Sequence, residues 1–305
     1  MDQIAENFLG IAACASNNEP CDFALLGAFP DKSGAVGPQT VWRCTRCGHG
    51  VTRPALADVS FLYDNRASQD FQPLTTGLAR KIKSLAFNHQ ARALLAQLPE
   101  RPGTVLDFGC GSGLFTSALG DRLGPDTVTG SDFHAEPPGD LSDRLYLPMA
   151  AIQERAGTFD LVIAMHVLEH DDDALGLLAR ITAMARPGGL VVLEVPNIDC
   201  VWARPLGRAW DAWYLPFHRS HFSRSSLLAL AERGGLEVIA QHDICVPSMG
   251  RSLANLCGAR NSLPFLLAGV ALHPIQWAGE RLSRRPSALR LIARKRSPKF
   301  AQKVS

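Results

Sequence analysis

The chain has 305 residues, 46% apolar and 20% charged, with a formal net charge of +2. That is enough apolar material for a full core, and it excludes a disordered or fibrous chain. Eight cysteines are too few for a disulfide scaffold of this length. No charged-then-apolar leader opens the chain and no apolar run reaches the length of a membrane span, so the reading is a soluble, cytoplasmic, reduced protein.

Residues 1–66 differ in texture from the rest and read as a small Cys-rich module. Cys44-Thr45-Arg46-Cys47-Gly48 has the spacing of a zinc knuckle, because two thiolates two residues apart can grip one tetrahedral ion. Cys14 and Cys21 supply the second pair, and His49 is a substitute ligand. The alternatives are structural zinc on these four cysteines or four reduced structural thiols.

Residues 67–305 read as one larger domain. Helical spacing from Gln72 to Leu98 runs through Ile82, Leu85, Ala86, Leu94 and Leu95 and ends at Pro102-Gly103. Strands and helices then alternate: 104–108, helix 112–122, 127–131, a short strand 144–147, 159–164, helix 171–185, and 190–195. That rhythm predicts a doubly wound α/β fold with a mostly parallel, Rossmann-like, seven-stranded sheet, and ligands at the carboxyl ends of its strands. Ser223 caps a further helix ending at Gly234-Gly235 and is followed by a strand from Leu236 to Cys245. Residues 248–285 read as a helical insertion whose apolar stretch, Leu263 to Leu272, is broken by His273 and Pro274; a plain lid or packing helix, a cover for the acceptor pocket, a dimer contact and a membrane-resting face are its alternative roles. The last strand follows.

The charge is uneven, since Glu280 to Ser305 carries nine Lys or Arg against one acid. A basic end suits an anionic membrane surface, nucleic acid or a phosphorylated substrate; the plain reading is a solvated strand and tail.

The first long strand ends Leu106-Asp107-Phe108 and enters Gly109-Cys110-Gly111-Ser112-Gly113, where glycine lets a ligand lie against bare backbone. The G-x-G-x-G spacing is not the G-x-G-x-x-G of dinucleotide sites. The second strand ends at Asp132, placed to accept from two ribose hydroxyls. Phe159-Asp160-Leu161-Val162 opens another strand, leading to Met165-His166-Val167-Leu168-Glu169-His170, and Arg186-Pro187-Gly188-Gly189 turns into the next. In these motifs the chain resembles the class I S-adenosylmethionine (SAM) dependent methyltransferases, over residues 86–247 and again at the end.

The resemblance implies SAM as cofactor. Asp107, Gly109, Cys110, Gly111 and Gly113 would hold its methionine end and Asp132 its ribose. Phe133 and Met149 would flank the adenine, and Met165 and His166 the sulfonium. It also implies a small-molecule or carrier-linked acceptor methylated at oxygen, with His166, His170 and His221 as catalytic candidates; His218 and His221 either contact the acceptor or only pack. Glu169 and His170 are similar to a Glu-His pair that some relatives use near a divalent ion, or they simply pack at the start of a helix.

The segment Asn197 to His221, dense with Trp202, Trp210, Trp213, Tyr214, Phe217 and His218, would overhang the acceptor. Two other readings stand beside this one: a nucleic-acid-binding or modifying protein, against which the strand end Val195-Pro196-Asn197 speaks, and a catalytically silent SAM-binding relative.

Overall fold

The structure, a computed structural model, describes Cys14 and residues 21–29, 31, 36–56, 59, 61–64, 77–139, 141–259 and 262–297. The expected boundary at 66/67, the start of the helix at Gln72 and the basic tail past Ser297 lie outside the described residues.

Three antiparallel strands come first: β1 (Phe23–Phe29), β2 (Gln39–Cys44) and β3 (Gly50–Arg53). A long helix, α1 (Gly77–Gln97), leads to β4 (Val105–Phe108), α2 (Leu114–Leu123), β5 (Val128–Ser131), β6 (Phe159–Met165), α3 (Ala174–Met184) and β7 (Ala185–Pro196). The two-residue β8 (Ser220–His221) and α4 (Arg224–Arg233) precede β9 (Leu236–Ile244). Helices α5 (Met249–Leu256) and α6 (Leu263–Ser283) separate β9 from β10 (Ala288–Lys295).

The main sheet runs β5-β4-β6-β7-β10-β9, parallel among β5, β4, β6 and β7, while β10 lies antiparallel between β7 and β9. This is the expected doubly wound α/β arrangement. Its central strands are covered on both faces, which is why they are unbroken apolar runs rather than alternating ones. Leu161 through Ala164 and Leu190 through Leu193 are at most 1% exposed.

Two expectations are corrected. The sheet has six strands among the described residues, not seven. At 144–147 Ser142 caps a short 3-10 turn, Asp143–Leu145, and only Tyr146 bridges Gly130; Pro148, without an N–H, stops any ladder from growing. The polar break in the apolar run at His273 and Pro274 does not end helix α6, which continues through both to Ser283. Leu85 departs from its place on the helical stripe, being 72% exposed, while Ala91 and Leu94 bury fully against the sheet.

The amino-terminal sheet is completed from the far end of the chain, since β3 pairs with β8 through Gly50–His221 and Val51–Ser220. Arg219, fully buried, joins the two regions: Nε donates to Asp172 Oδ2 at 2.9 Å, Nη1 to Gln39 Oε1 at 3.0 Å and Nη2 to Thr52 O at 3.3 Å and to Pro54 O. Chain reversal from β4 to β5 on one side and β6 on the other opens the crevice at the carboxyl end of β4.

Candidate active site

At that crevice the chain turns through Gly109, Gly111 and Gly113 at φ +74°, +55° and +75°, a region glycine enters without strain. A Cβ at Gly109 would lie 2.6 Å from Val167 Cγ2, and one at Gly113 2.6 Å from Leu141 Cβ. Gly111 differs: a Cβ there would meet no protein atom within 4 Å, so the loop presents bare backbone to an open space. The amides of Gly109 and Cys110 donate to Ser131 O at 2.8 and 3.1 Å, and that of Gly111 donates to Asp132 Oδ2 at 2.9 Å, locking the loop to the end of β5. Helix α2 starts at Gly113 with no side-chain cap, which leaves its first N–H groups for a polar guest.

Asp107 lies beneath the loop, 3% exposed, and accepts from Thr116 Oγ1 at 2.6 Å. Burial pushes its carboxyl up to about 7, against the Thr116 hydrogen bond and with help from the charge of Asp132. Burial raises Asp132 as well, opposed by the amides of Gly111 and Phe133. Two desolvated acids beside an open glycine face favour a guest that brings a positive charge and hydroxyls. Burial and both acids hold the Cys110 thiol protonated, so it acts as a small apolar filler. Phe133 stands 62% exposed beside Asp132, and Met149 donates its amide to Asp132 O at 2.8 Å. Met165 lies at the end of β6, its sulfur 3.8 Å from Gln90 Nε2.

His166 follows at φ +56°, held between two buried acids: Nδ1 is 3.2 Å from Glu169 Oε1 and Nε2 3.3 Å from Glu194 Oε1. Burial alone would lower its pKa, but the hydrogen bonds and charges of both glutamates outweigh that and lift it to about 10. Glu194 in turn accepts from Arg290 Nε at 2.8 Å and Nη2 at 2.6 Å, and both charges are at most 1% exposed. Held as an imidazolium between the two glutamates, His166 suits a fixed wall rather than a base.

The turn Leu168–His170 brings a second set together. Glu169, His170 and His218 offer ligand or base atoms within 4.8 Å of one another, and the rings of His170 and His218 meet edge-on at 4.9 Å. His218 Nδ1 donates to Ala212 O at 2.8 Å, which leaves Nε2 as the unprotonated nitrogen, 3.9 Å from Glu169 Oε1. Burial, then the charges of His170 and His221, keeps His218 neutral, its pKa well below the ordinary value. Glu169 Oε2 is buried with no partner among the described residues.

His221 faces elsewhere. Thr52 donates its hydroxyl to His218 O at 2.7 Å, so His221 Nε2–H donates to Thr52 Oγ1 at 2.9 Å, and its ring meets Trp213 at 5.5 Å. Its contacts tie β8 to β3. The aromatic segment also divides: Trp210 and Trp213 are 1% and 6% exposed and build a small core with Phe29, Val41 and Leu215, while Trp202 and Tyr214 stay half-buried. Most of the tryptophan density is therefore packing.

Of the cysteines, Cys14, Cys44 and Cys47 place their sulfurs within 4.8 Å of one another, Cys14 and Cys47 being 3.2 Å apart, and Cys21 hydrogen-bonds to Cys44. His49, the substitute ligand, instead packs on Phe222 at 5.2 Å.

The family described as "Methyltransferase domain" matches residues 79–241, which run from α1 through most of β9. The chain belongs to this methyltransferase family. Trans-aconitate 2-methyltransferase of Deinococcus radiodurans is 38% identical over 111 residues, covering 35% of this chain and 43% of that protein. A ubiquinone biosynthesis O-methyltransferase of Methylocella silvestris is 33% identical over 142 residues, covering 43% of this chain and 55% of that one. The chain thus spans about half the length of these relatives. In fold, it is similar to a chain of the Haloferax volcanii complex that contains the Trm112 methyltransferase activator, with TM-score 0.51, 19% identity, and coverage of 78% of this chain and 98% of the other. The family agrees with the resemblance carried by the glycine loop and Asp132.

Glu194, Arg290, Arg219 and Asp172 were not among the sequence candidates. The signal was present for the first pair, as single opposite charges inside two apolar strands, Leu190-Val191-Val192-Leu193-Glu194-Val195 and Leu289-Arg290-Leu291-Ile292.

Proposed function

We propose that the chain transfers a methyl group from SAM to a hydroxyl oxygen of a small-molecule acceptor. The observation that carries this reading is the open glycine face at Gly111, set between the two buried acids Asp107 and Asp132. The site fits the donor in charge and shape. Asp107 would meet a cationic amine and Asp132 the ribose hydroxyls, Phe133 would cover the adenine, and the bare backbone of the loop would accept the rest of the molecule. SAM supplies a methyl already activated on a sulfonium, so the protein's share is alignment, exclusion of water and handling of one proton.

His218 Nε2 is the group suited to that proton. It is neutral, its tautomer is fixed by Ala212, and it is backed by Glu169. As the acceptor oxygen gains the methyl, its proton passes to Nε2, and His166 and His170 hold the wall around it. The relatives named for trans-aconitate and ubiquinone biosynthesis support a small acceptor.

In this reading residues 67–305 carry the chemistry, and Cys14, Cys21, Cys44 and Cys47 would hold one structural zinc in the amino-terminal module of residues 1–66. Calorimetric titration with SAM tests the donor assignment. Saturable binding with one donor per chain is expected, and the absence of heat at millimolar SAM overturns the reading. Donor binding without turnover on any hydroxyl acceptor would leave the silent relative in its place.

A further inference from the structure

Helix α6 is built inside out. At about 100° per residue, Leu267, Val270, Ile275, Trp277 and Leu282 share an arc of about 160°, and they are 46%, 51%, 62%, 52% and 87% exposed. The opposite side carries Gly269, Gln276 and Glu280, and these are the buried positions of the helix. A helix on a water-soluble domain ordinarily does the reverse.

The helix cannot roll to hide its apolar side, because the polar side is tied down. Gln276 Nε2 donates to Val246 O and to Glu280 Oε1, both at 2.7 Å, and Oε1 of Gln276 accepts from Ser248 N at 3.3 Å. Glu280 Oε2 accepts from Ser287 N at 2.8 Å and Ser287 Oγ at 3.0 Å. Gly269 packs backbone to backbone against α5, where a Cβ would lie 3.0 Å from Gly250 N. Rolling would strand several buried polar groups without partners. The exposure of the apolar face is therefore a built property of the fold.

Its charge says what covers it. Glu280 is the sole acid of the helix and is 3% exposed, so the outer face carries no negative charge. Cations gather at its carboxyl end: Arg281 lies over the Trp277 ring at 5.8 Å, and Arg284 and Arg285 are exposed beside Leu282. We infer that α6 lies flat on an anionic lipid surface, its leucine and isoleucine side chains among the acyl chains, Trp277 at the boundary and the arginines on lipid phosphates. A second copy of the chain would offer the same acid-free face and no counter-charge. Among the described residues no helix is long and apolar enough to cross a membrane, so α6 rests in the interface rather than spanning it. Its length of about 31 Å along the surface follows from about 1.5 Å per residue.

The inference stands apart from methyl transfer, although the two regions touch. On its inner side Gly279 rests on Trp202, where a Cβ would lie 2.7 Å from Cζ2. Docking would set the Asn197–His221 segment beside the lipid.

The test floats the full chain with phosphatidylcholine vesicles containing about a third phosphatidylglycerol, and with phosphatidylcholine alone, in about 0.1 M salt. The wild type is expected to float at least about tenfold more with the anionic vesicles, and the doubly substituted Ile275→Glu, Leu282→Glu chain to lose this. Arg281→Gln with Arg284→Gln is expected to lower binding to anionic vesicles only. Both residues of the glutamate pair are surface positions, so unchanged circular dichroism and SAM affinity verify that the variant is folded. Failure of the wild type to float, or equal flotation of the glutamate variant, overturns the inference. So does a dimer in light scattering that the glutamate variant dissolves while the wild type ignores vesicles, an outcome that assigns the face to a second copy.

Discussion

His218 Nε2 stands 3.9 Å from Glu169 Oε1 and has no hydrogen of its own to offer, because neutral His218 carries its proton on Nδ1 toward Ala212 O. Two lone pairs facing one another in a buried pocket call for a donor between them, and the hydroxyl of an acceptor is such a donor. His218→Gln is therefore expected to lower kcat by about 10²- to 10⁴-fold with SAM affinity unchanged. Steady-state kinetics paired with donor titration checks this. Activity that survives EDTA separates proton transfer from a divalent ion held by Glu169, His170 and His218; loss of activity on chelation, restored by metal, would assign the cluster to the ion instead.

Asp107 offers a test on stability as well as binding. Its folded pKa of about 7 lies above the ordinary 3.8, so its stabilising share is present below about 3.8 and is lost as pH rises through 7. Above that, the buried carboxylate opposes folding by an amount on the order of a few kcal/mol. Asp107→Asn keeps an acceptor for Thr116 and removes the charge. It is expected to raise the melting temperature at pH 8, to leave it unchanged or lowered at pH 4, and to weaken SAM binding at least about tenfold. Calorimetry at both pH values reads the first effect, and titration the second.

Gly111 tests the cradle directly. Valine there would adopt φ +55° at a cost of about 1–3 kcal/mol and would fill space that no protein atom occupies. Gly111→Val should stay folded while SAM binding is lost. A folded variant with full donor affinity would mean that the guest lies elsewhere.

The glycine loop and Asp132 could be read from sequence because they are local: each depends on a few adjacent residues at the end of an apolar strand. Glu194 and Arg290 each stood out as a charge inside an apolar strand, but their pairing could not be read, since 96 residues separate them and only the antiparallel register of β10 on β7 brings them together. The short strand at 144–147 failed for a local reason, the competition of a Ser142 cap and Pro148 with strand pairing. Aromatic density in 197–221 showed that something apolar is there but not on which side. Trp210 and Trp213 turned inward onto Phe29, a residue of the amino-terminal sheet.

His166 predicts behaviour at high pH. With a folded pKa of about 10 against an ordinary 6.5, its stabilising share is complete below 6.5 and fades as pH rises through 10. The side chain is 37% exposed, so solvent screens part of the effect. His166→Gln is expected to melt below the wild type at pH 7, and the gap should narrow at pH 10.5. Nitrogen chemical shifts of the ring should report an imidazolium at pH 8; a neutral ring there would return His166 to the candidate bases.

Arg219 is the joint between the amino-terminal sheet and the catalytic loops, and its geometry predicts that lysine cannot replace it. The guanidinium reaches Asp172 on one edge and Gln39, Thr52 and Pro54 on the other, while its own amide donates to Glu169 O at 2.6 Å. A single ammonium has three donors and no planar fork, so Arg219→Lys would leave buried acceptors unpaired while keeping the charge. The expected loss is about 1–3 kcal/mol in chemical denaturation, the range for leaving a buried polar group without its partner. Because Glu169 sits on the same tie, kcat should fall along with stability even where the variant is fully folded. Limited proteolysis should cut first between β1 and β3, with the six-stranded sheet protected. Equal protection of both sheets in the variant would show that β3–β8 pairing and Thr52–His221 suffice without the arginine.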